Sequence, residues 1–280
     1  MKDLISAEKL NRYIGKDNRV ILDVRSGKNS HSLYLESHLA GAIYVDLNKD
    51  LAIIPDDAAN GGRHPLPDPA IFAKRLGTWG INRKSRVLIY DDMGGANAAA
   101  RLWWMLKSIG HSRVQVLNGG FQAAIKSGFP IATGNEEAKS ASSYPESTWR
   151  LPVVNLSEVE KQVSDPNFAV IDVRDAYRYR GESEPIDLIA GHIPGAINLP
   201  YSMNLDENGL FHAPEKLREM YQPLFEEKGL SKITVHCGSG VTACHTLLAM
   251  SAAGFQIPSL YVGSWSEWSR NDKPIGTCLS

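Results

Sequence analysis

The feature that most constrains the fold of this chain is an internal duplication. Val20-Ile21-Leu22-Asp23-Val24-Arg25 returns as Val170-Ile171-Asp172-Val173-Arg174, and His38-Leu39-Ala40-Gly41-Ala42-Ile43 as His192-Ile193-Pro194-Gly195-Ala196-Ile197. Two apolar runs, Val87-Leu88-Ile89-Tyr90 and Ile233-Thr234-Val235-His236, each lead into a loop of small residues and then a helical pattern. Each half closes on a short apolar run, glycine and an aromatic: Leu117-Asn118-Gly119-Gly120-Phe121 and Tyr261-Val262-Gly263-Ser264-Trp265. A repeat this long predicts two similar domains rather than a solenoid, and 280 residues suit two domains of ordinary size. Residues 134–150, rich in Ser, Glu and Ala, read as an exposed linker. The expected division is an N-terminal domain 1–135, a linker 136–150 and a C-terminal domain 151–280.

Within each half, short apolar strands alternate with amphipathic helices. Asp68-Pro69 supplies a cap followed by proline at the first helical position, and Ile71, Phe72, Arg75, Leu76 and Trp79 follow at helical spacing. Pro214 opens another helix with Leu217, Met220, Tyr221 and Leu224 on one face, while 98–109 and 242–253 read as buried, small-residue helices. The fold class expected is α/β, each domain a mainly parallel sheet flanked by helices. In such sheets ligands gather at the carboxyl ends of the strands.

Composition narrows the partners. A net charge of −1 gives no reason to expect a nucleic-acid or membrane partner. No apolar run approaches the roughly 18 residues that span a bilayer. Met1-Lys2-Asp3-Leu4-Ile5-Ser6 lacks a signal-peptide core, so a cytoplasmic protein is expected. The three cysteines, Cys237, Cys244 and Cys278, form no CxxC pair, which argues against a zinc site or a thioredoxin-type centre.

One of the three stands in chemically suggestive company. Cys237 follows the predicted strand 233–236 and opens the loop Cys237-Gly238-Ser239-Gly240-Val241-Thr242, with a helix predicted behind it. Glycines let successive N–H groups turn toward one point, and a helix start adds partial positive charge. A cysteine held there is disposed to act as a thiolate nucleophile, with Ser239 and Thr242 as hydroxyl donors. Two other motifs overlap these residues. His236-Cys237 opens the phosphatase pattern His-Cys-x5-Arg, but Ala243 stands where the phosphate-clamping arginine belongs. Gly238-Ser239-Gly240-Val241-Thr242-Ala243 fits a dinucleotide fingerprint, but no acidic residue closes a strand about 20 residues on.

Taken together, Asp-x-Arg after a first strand, His-x-x-Gly-Ala, and the C-terminal cysteine loop resemble the tandem rhodanese family over nearly the whole chain. The loop Cys-Gly-Ser-Gly-Val-Thr is similar to that of the 3-mercaptopyruvate sulfurtransferase branch; thiosulfate sulfurtransferases carry basic residues where Gly238 and Ser239 stand. The resemblance implies two tandem rhodanese-like domains, the first non-catalytic, since Asp91-Asp92-Met93-Gly94-Gly95 has no cysteine. It implies sulfur transfer from a small anionic donor, 3-mercaptopyruvate or thiosulfate, through a Cys237 persulfide to a thiol, a dithiol protein or cyanide. No metal or organic cofactor is implied; the sulfur rides on Cys237. Ser239 is implied as a proton relay, Gly238, Gly240, Val241 and Thr242 as the persulfide cradle, and Arg178 as the cation for the donor's anionic group, with Arg180 and Arg63 nearby.

The chain departs from the family at two places. Glu184-Pro185-Ile186-Asp187 carries an acid where a second arginine is expected. His64, in Gly61-Gly62-Arg63-His64-Pro65, matches a histidine that aligns with the loop serine, while its aspartate partner's place holds Asn48, with Asp50 close by. His64 reads equally as a surface-loop histidine. His38, His192, Asp23, Arg25, Asp172 and Arg174 recur in both halves and read as structural, as do Trp103, Trp104, Trp265, Trp268 and a buried Cys244. Cys278 reads as exposed.

Overall fold

In the computed structural model, residues 2–12, 18–138, 144–145 and 148–278 are described. The chain forms two compact units, one of residues 1–52, 67–150 and 207–211, the other of 53–66, 151–206 and 212–280. Each half of the sequence thus contributes one short segment to the unit built mainly by the other.

The first unit contains β1 (Leu4–Ile5), β2 (Arg19–Asp23), β3 (His38–Leu39), β4 (Ala42–Tyr44), β5 (Arg86–Tyr90), β6 (Val114–Leu117) and β7 (Ile131–Ala132). The second contains β8 (Val153–Val154), β9 (Ala169–Asp172), β10 (Ile197–Asn198), β11 (Ile233–His236) and β12 (Ser259–Tyr261). The first sheet runs β1-β6-β5-β2-β4 and the second, read from its matching edge, β8-β12-β11-β9-β10, with every pairing parallel. The two orders are the same, so the sequence repeat is a repeat of topology, and the α/β expectation of parallel sheets flanked by helices holds. β11 lies central, between β9 and β12, and all four of its residues are buried.

The recurring polar residues hold equivalent turns. Arg25 forks onto Asp23 and reaches the Ser37 carbonyl at 2.7 Å; Arg174 forks onto Asp172 and reaches the Gly191 carbonyl at 2.6 Å. Arg25 lies over the Phe121 ring at 4.5 Å and Arg174 over Trp265 at 4.6 Å. His38 and His192 bond the carbonyls of Tyr34 and Tyr179 through Nδ1 and stack on those same rings. Charges this deeply buried are tolerable because each is paired and hydrogen-bonded.

The helices follow their sequence signals. Pro69–Thr78 is capped by the Asp68 carboxylate, which accepts the Ala70 and Ile71 N–H groups, and it buries Phe72, Ala73 and Leu76 while Ile71 faces solvent. Pro214–Lys228 buries Leu217 and Tyr221. Ala243–Ala252, behind the cysteine loop, is buried at every position except Ser251. Of the stretch 134–150, residues 139–143 and 146–147 lie outside the described residues; Tyr144 is buried against His111, and the Trp149 indole donates to the Pro67 carbonyl at 3.2 Å. Among the described residues no helix is long and apolar enough to cross a membrane.

Candidate active site

β11 delivers Cys237 to the carboxyl edge of the second sheet. The loop from Cys237 to Thr242 then turns into the helix Ala243–Ala252. Gly240 makes that turn at φ +70°, and a Cβ there would lie 2.5 Å from the Val262 carbonyl oxygen, so only glycine fits without displacing the backbone. The short helix Ser264–Trp268 fastens the start of the loop. The Cys237 N–H donates to Ser264 Oγ at 3.2 Å, and the Cys237 and Gly238 carbonyls accept the N–H groups of Trp265 and Ser266 at 3.0 and 2.8 Å. Cys237 is 3% exposed and Ser239 5%. Val241 is buried and Thr242 partly exposed; their carbonyls accept the N–H groups of Cys244 and His245 at the helix start.

The segment 53–66, which precedes Cys237 by well over a hundred residues, belongs to the same unit. Gly62, at φ +82°, lies so close to Gly263 that a Cβ would stand 2.3 Å from its carbonyl oxygen. The Gly61 N–H donates to Glu267 Oε1 at 3.0 Å, the Arg63 N–H to Ser266 Oγ at 3.1 Å, and Asn271 Nδ2 to the Ala59 carbonyl at 2.8 Å. This backbone fastening brings His64 Nδ1 within 2.8 Å of Ser239 Oγ. Asn48 and Asp50 lie in the first unit. There Asp46 accepts the Asn48 N–H, and Asp50 accepts the Asp46 N–H and pairs with Arg75.

Three arginines meet a buried carboxylate beside the loop. Asp187, whose side chain has no exposure, accepts from Arg63 Nε at 2.9 Å and from Arg178 Nη2 and Arg270 Nη1 at 3.4 Å each. Arg178 places its fork on Glu184, and Arg174 reaches the same carboxylate at 3.2 Å. A Cβ on Gly238 would lie 3.1 Å from Arg63 Nη2, 3.2 Å from Asp187 Oδ2 and 3.5 Å from Arg178 Nη2. These groups therefore fill the space a side chain at 238 would take. Burial opposes the charge of Arg178, but hydrogen bonds and charge from Glu184, then the charges of Asp187 and Cys237, hold its pKa above the usual range. Burial works to raise Glu184, but the hydrogen bonds and charge of Arg178 together with the Asp187 and Ile186 N–H groups outweigh it and hold the carboxyl low.

Cys237, Gly238, Ser239, Arg63, His64 and Arg178 thus come together. Arg180 does not join them; it pairs with Glu182 on the surface. Cys244 is fully buried with its thiol on the Gly240 carbonyl at 3.4 Å, and Cys278 is exposed. Sequence reasoning missed Arg270, Ser264, Ser266 and Glu267, since nothing in their local pattern marks them. It registered Asp187 only as a departure from a pattern.

The first unit shows what the equivalent loop does without a cysteine. Asp91 follows β5 as Cys237 follows β11, and its fully buried carboxylate accepts the N–H groups of Met93 and Gly95 at 3.0 and 2.7 Å and of Asn97 and Ala99 at 3.3 Å each. A loop of this type is an anion cradle, filled here by its own side chain.

A parallel five-stranded α/β unit repeated in tandem, with a cysteine loop at the carboxyl edge of the second sheet, defines a two-domain rhodanese-like architecture. Residues 6–127 and 155–271 each match the rhodanese-like domain, and the chain belongs to that family. It is 38% identical over 280 residues to a Pseudomonas aeruginosa protein named "Probable 3-mercaptopyruvate sulfurtransferase", covering 98% of each chain. It is 34% identical over 251 residues to the thiosulfate sulfurtransferase of Gallus gallus, covering 88% of this chain and 83% of that one. Among solved structures, 3-mercaptopyruvate sulfurtransferase from Leishmania major superposes with a TM-score of 0.82 at 31% identity, covering 96% of this chain and 74% of that one.

Proposed function

We propose that the chain is a cytoplasmic sulfurtransferase that takes sulfur from 3-mercaptopyruvate onto Cys237 and passes it to a thiol, a dithiol protein or cyanide. The observation that carries the proposal is the loop at 237–242, where a cysteine opens an anion-cradling turn with Ser239 hydrogen-bonded to His64 and arginines gathered over Gly238. The Cys237 thiolate attacks the donor sulfur; an S–S bond forms and the donor C–S bond breaks. The electron pair of that bond leaves as the enolate of pyruvate, which takes up a proton. Ser239, backed by His64, supplies that proton toward the departing oxygen. The donor carboxylate meets the positive charge of Arg178 and Arg63, whose forks are held by Glu184 and Asp187. The N–H groups of 238–242 stabilise the persulfide charge as those of the first unit stabilise Asp91. The acceptor then removes the outer sulfur and restores the thiolate. Residues 1–135, lacking a nucleophile in the matching loop, take no covalent part.

Mass spectrometry after incubation with 3-mercaptopyruvate is expected to find one added sulfur atom on Cys237, and Cys237→Ser to lose both the adduct and sulfur transfer. Full transfer by Cys237→Ser would sink the mechanism. A steady-state preference for thiosulfate over 3-mercaptopyruvate would overturn the donor assignment alone.

A further inference from the structure

Asp187 has no role in the chemistry above, yet its fully buried carboxylate stands beside the loop that carries it. Its Oδ2 lies 3.2 Å from where a Gly238 Cβ would be, next to Cys237, so any anion bound over Gly238 is close to a fixed negative charge. Three guanidinium groups converge on it, but the Arg178 fork is committed to Glu184 and only single or lopsided contacts reach Asp187. The connected ion-pair network comprises Arg63, Arg174, Arg178 and Arg270 against Asp172, Glu184 and Asp187. The Cys237 thiolate, whose charge also acts on Arg178, is a fourth negative group beside these four positive ones. His236, which lies 3.9 Å from Asp172, adds no charge, because burial holds it neutral. An arriving anion therefore finds no spare positive charge, and each negative charge it carries is opposed by Asp187 beside Gly238. A second negative charge adds to that opposition in a poorly solvated place, where imbalance is expensive.

We infer that Asp187 is a specificity-determining residue, whose carboxylate, set among Arg63, Arg178 and Arg270 beside Gly238, selects a singly charged sulfur donor over a doubly charged one. The inference rests on the sulfurtransferase reading and sharpens its substrate class. 3-Mercaptopyruvate carries one carboxylate charge, thiosulfate two. The same carboxylate holds Arg63, which otherwise projects from the 53–66 segment with 28% of its side chain exposed.

Asp187→Asn separates charge from placement, since the amide oxygen still accepts from Arg63 Nε. Removing one charge within about 5 Å, at an effective dielectric of about 20 and with arginines close by, is expected to raise kcat/KM for thiosulfate relative to 3-mercaptopyruvate about tenfold. Asp187→Glu, which keeps the charge, is expected to hold the wild-type ratio. An unchanged ratio in Asp187→Asn, or an equal shift in Asp187→Glu, overturns the inference. A second measurement needs only the wild-type protein. Methanesulfonate and sulfate are similar in shape and differ by one charge, so methanesulfonate should bind about tenfold more tightly by competition or calorimetry. Equal binding, or tighter sulfate binding, overturns the selection by charge. If wild-type Cys237 gains no sulfur from either donor, the sulfurtransferase reading fails, while the two-anion comparison still decides whether the site discriminates by charge.

Discussion

Cys237 and Asp91 occupy the same station in their two sheets, each one residue past a central strand, and the difference between them is one of chemistry. The Asp91 carboxylate satisfies its own cradle and has nothing left to give, whereas Cys237 brings a nucleophile to a loop of the same kind. Ser239 is the next residue whose role is open to measurement. Its hydroxyl shares a 2.8 Å hydrogen bond with His64 Nδ1, so Ser239→Ala removes the final proton donor without emptying the arginine cluster. We expect kcat with 3-mercaptopyruvate to fall about a hundredfold, within the usual range for one general acid, and KM to change little. A fall in KM and kcat together, or no change in kcat, would show that the hydroxyl only props the loop. At this scale the sequence was informative wherever a motif carried the residue, as for Cys237 and Ser239. It set Arg178 above Arg180 only through the family resemblance, since the two lie two residues apart on one short helix; in the fold Arg178 points inward to Glu184 and Asp187, and Arg180 lies on the surface with Glu182.

Among the elements, the 53–66 segment and the Ser264–Trp268 helix do the positioning, the segment through its backbone and the helix through backbone N–H groups and the Ser264, Ser266 and Glu267 side chains. Gly62 is where they come closest. Gly62→Ala would put a methyl group 2.3 Å from the Gly263 carbonyl oxygen at a positive φ. Gly128 also has a positive φ, +76°, but open space beyond it. The conformational cost alone is about 1 kcal/mol, so Gly128→Ala should lose about that in urea unfolding and keep full activity. Gly62→Ala should lose more, about 2–3 kcal/mol by the cost of overpacking, and its kcat should drop at least tenfold as His64 moves away from Ser239. Equal effects from the two substitutions would mean that the close approach is not what seats His64. In the sequence Gly61-Gly62 stood only as the context of His64; their contact partner, two hundred residues on, had no local signature.

The whole molecule carries a titration that should appear in its stability. His245 is fully buried in the helix behind the cysteine loop, accepts from Asn204 Nδ2 at 3.3 Å, and is pushed down by burial to a pKa of about 3 from 6.5. Between those values the unfolded chain binds a proton that the folded chain refuses, so stability must fall as pH drops from about 6.5 toward 3. His236, also lowered by burial, acts in the same direction. The unfolding free energy at pH 5 should lie about 2 kcal/mol below that at pH 7, and His245→Gln should flatten the dependence. A wild-type profile that is level over this range would show that His245 takes up its proton without unfolding.

The sequence by itself determined the repeated parallel α/β unit and the cysteine loop, because periodicity, glycine placement and strand-to-helix order act between neighbours along the chain. The recurrence of Asp23–Arg25 as Asp172–Arg174 marked these residues as structural, and the fold pairs each as a buried ion pair. Tertiary structure alone decided the company Cys237 keeps. Arg63 and His64 belong by sequence to the first half, yet fold with the second. Arg270 reaches the loop through Asp187, a residue eighty-three positions earlier. Such contacts are settled by which carbonyls the 53–66 backbone can approach and which buried carboxylate needs partners, and neither leaves a pattern among residues adjacent in the chain.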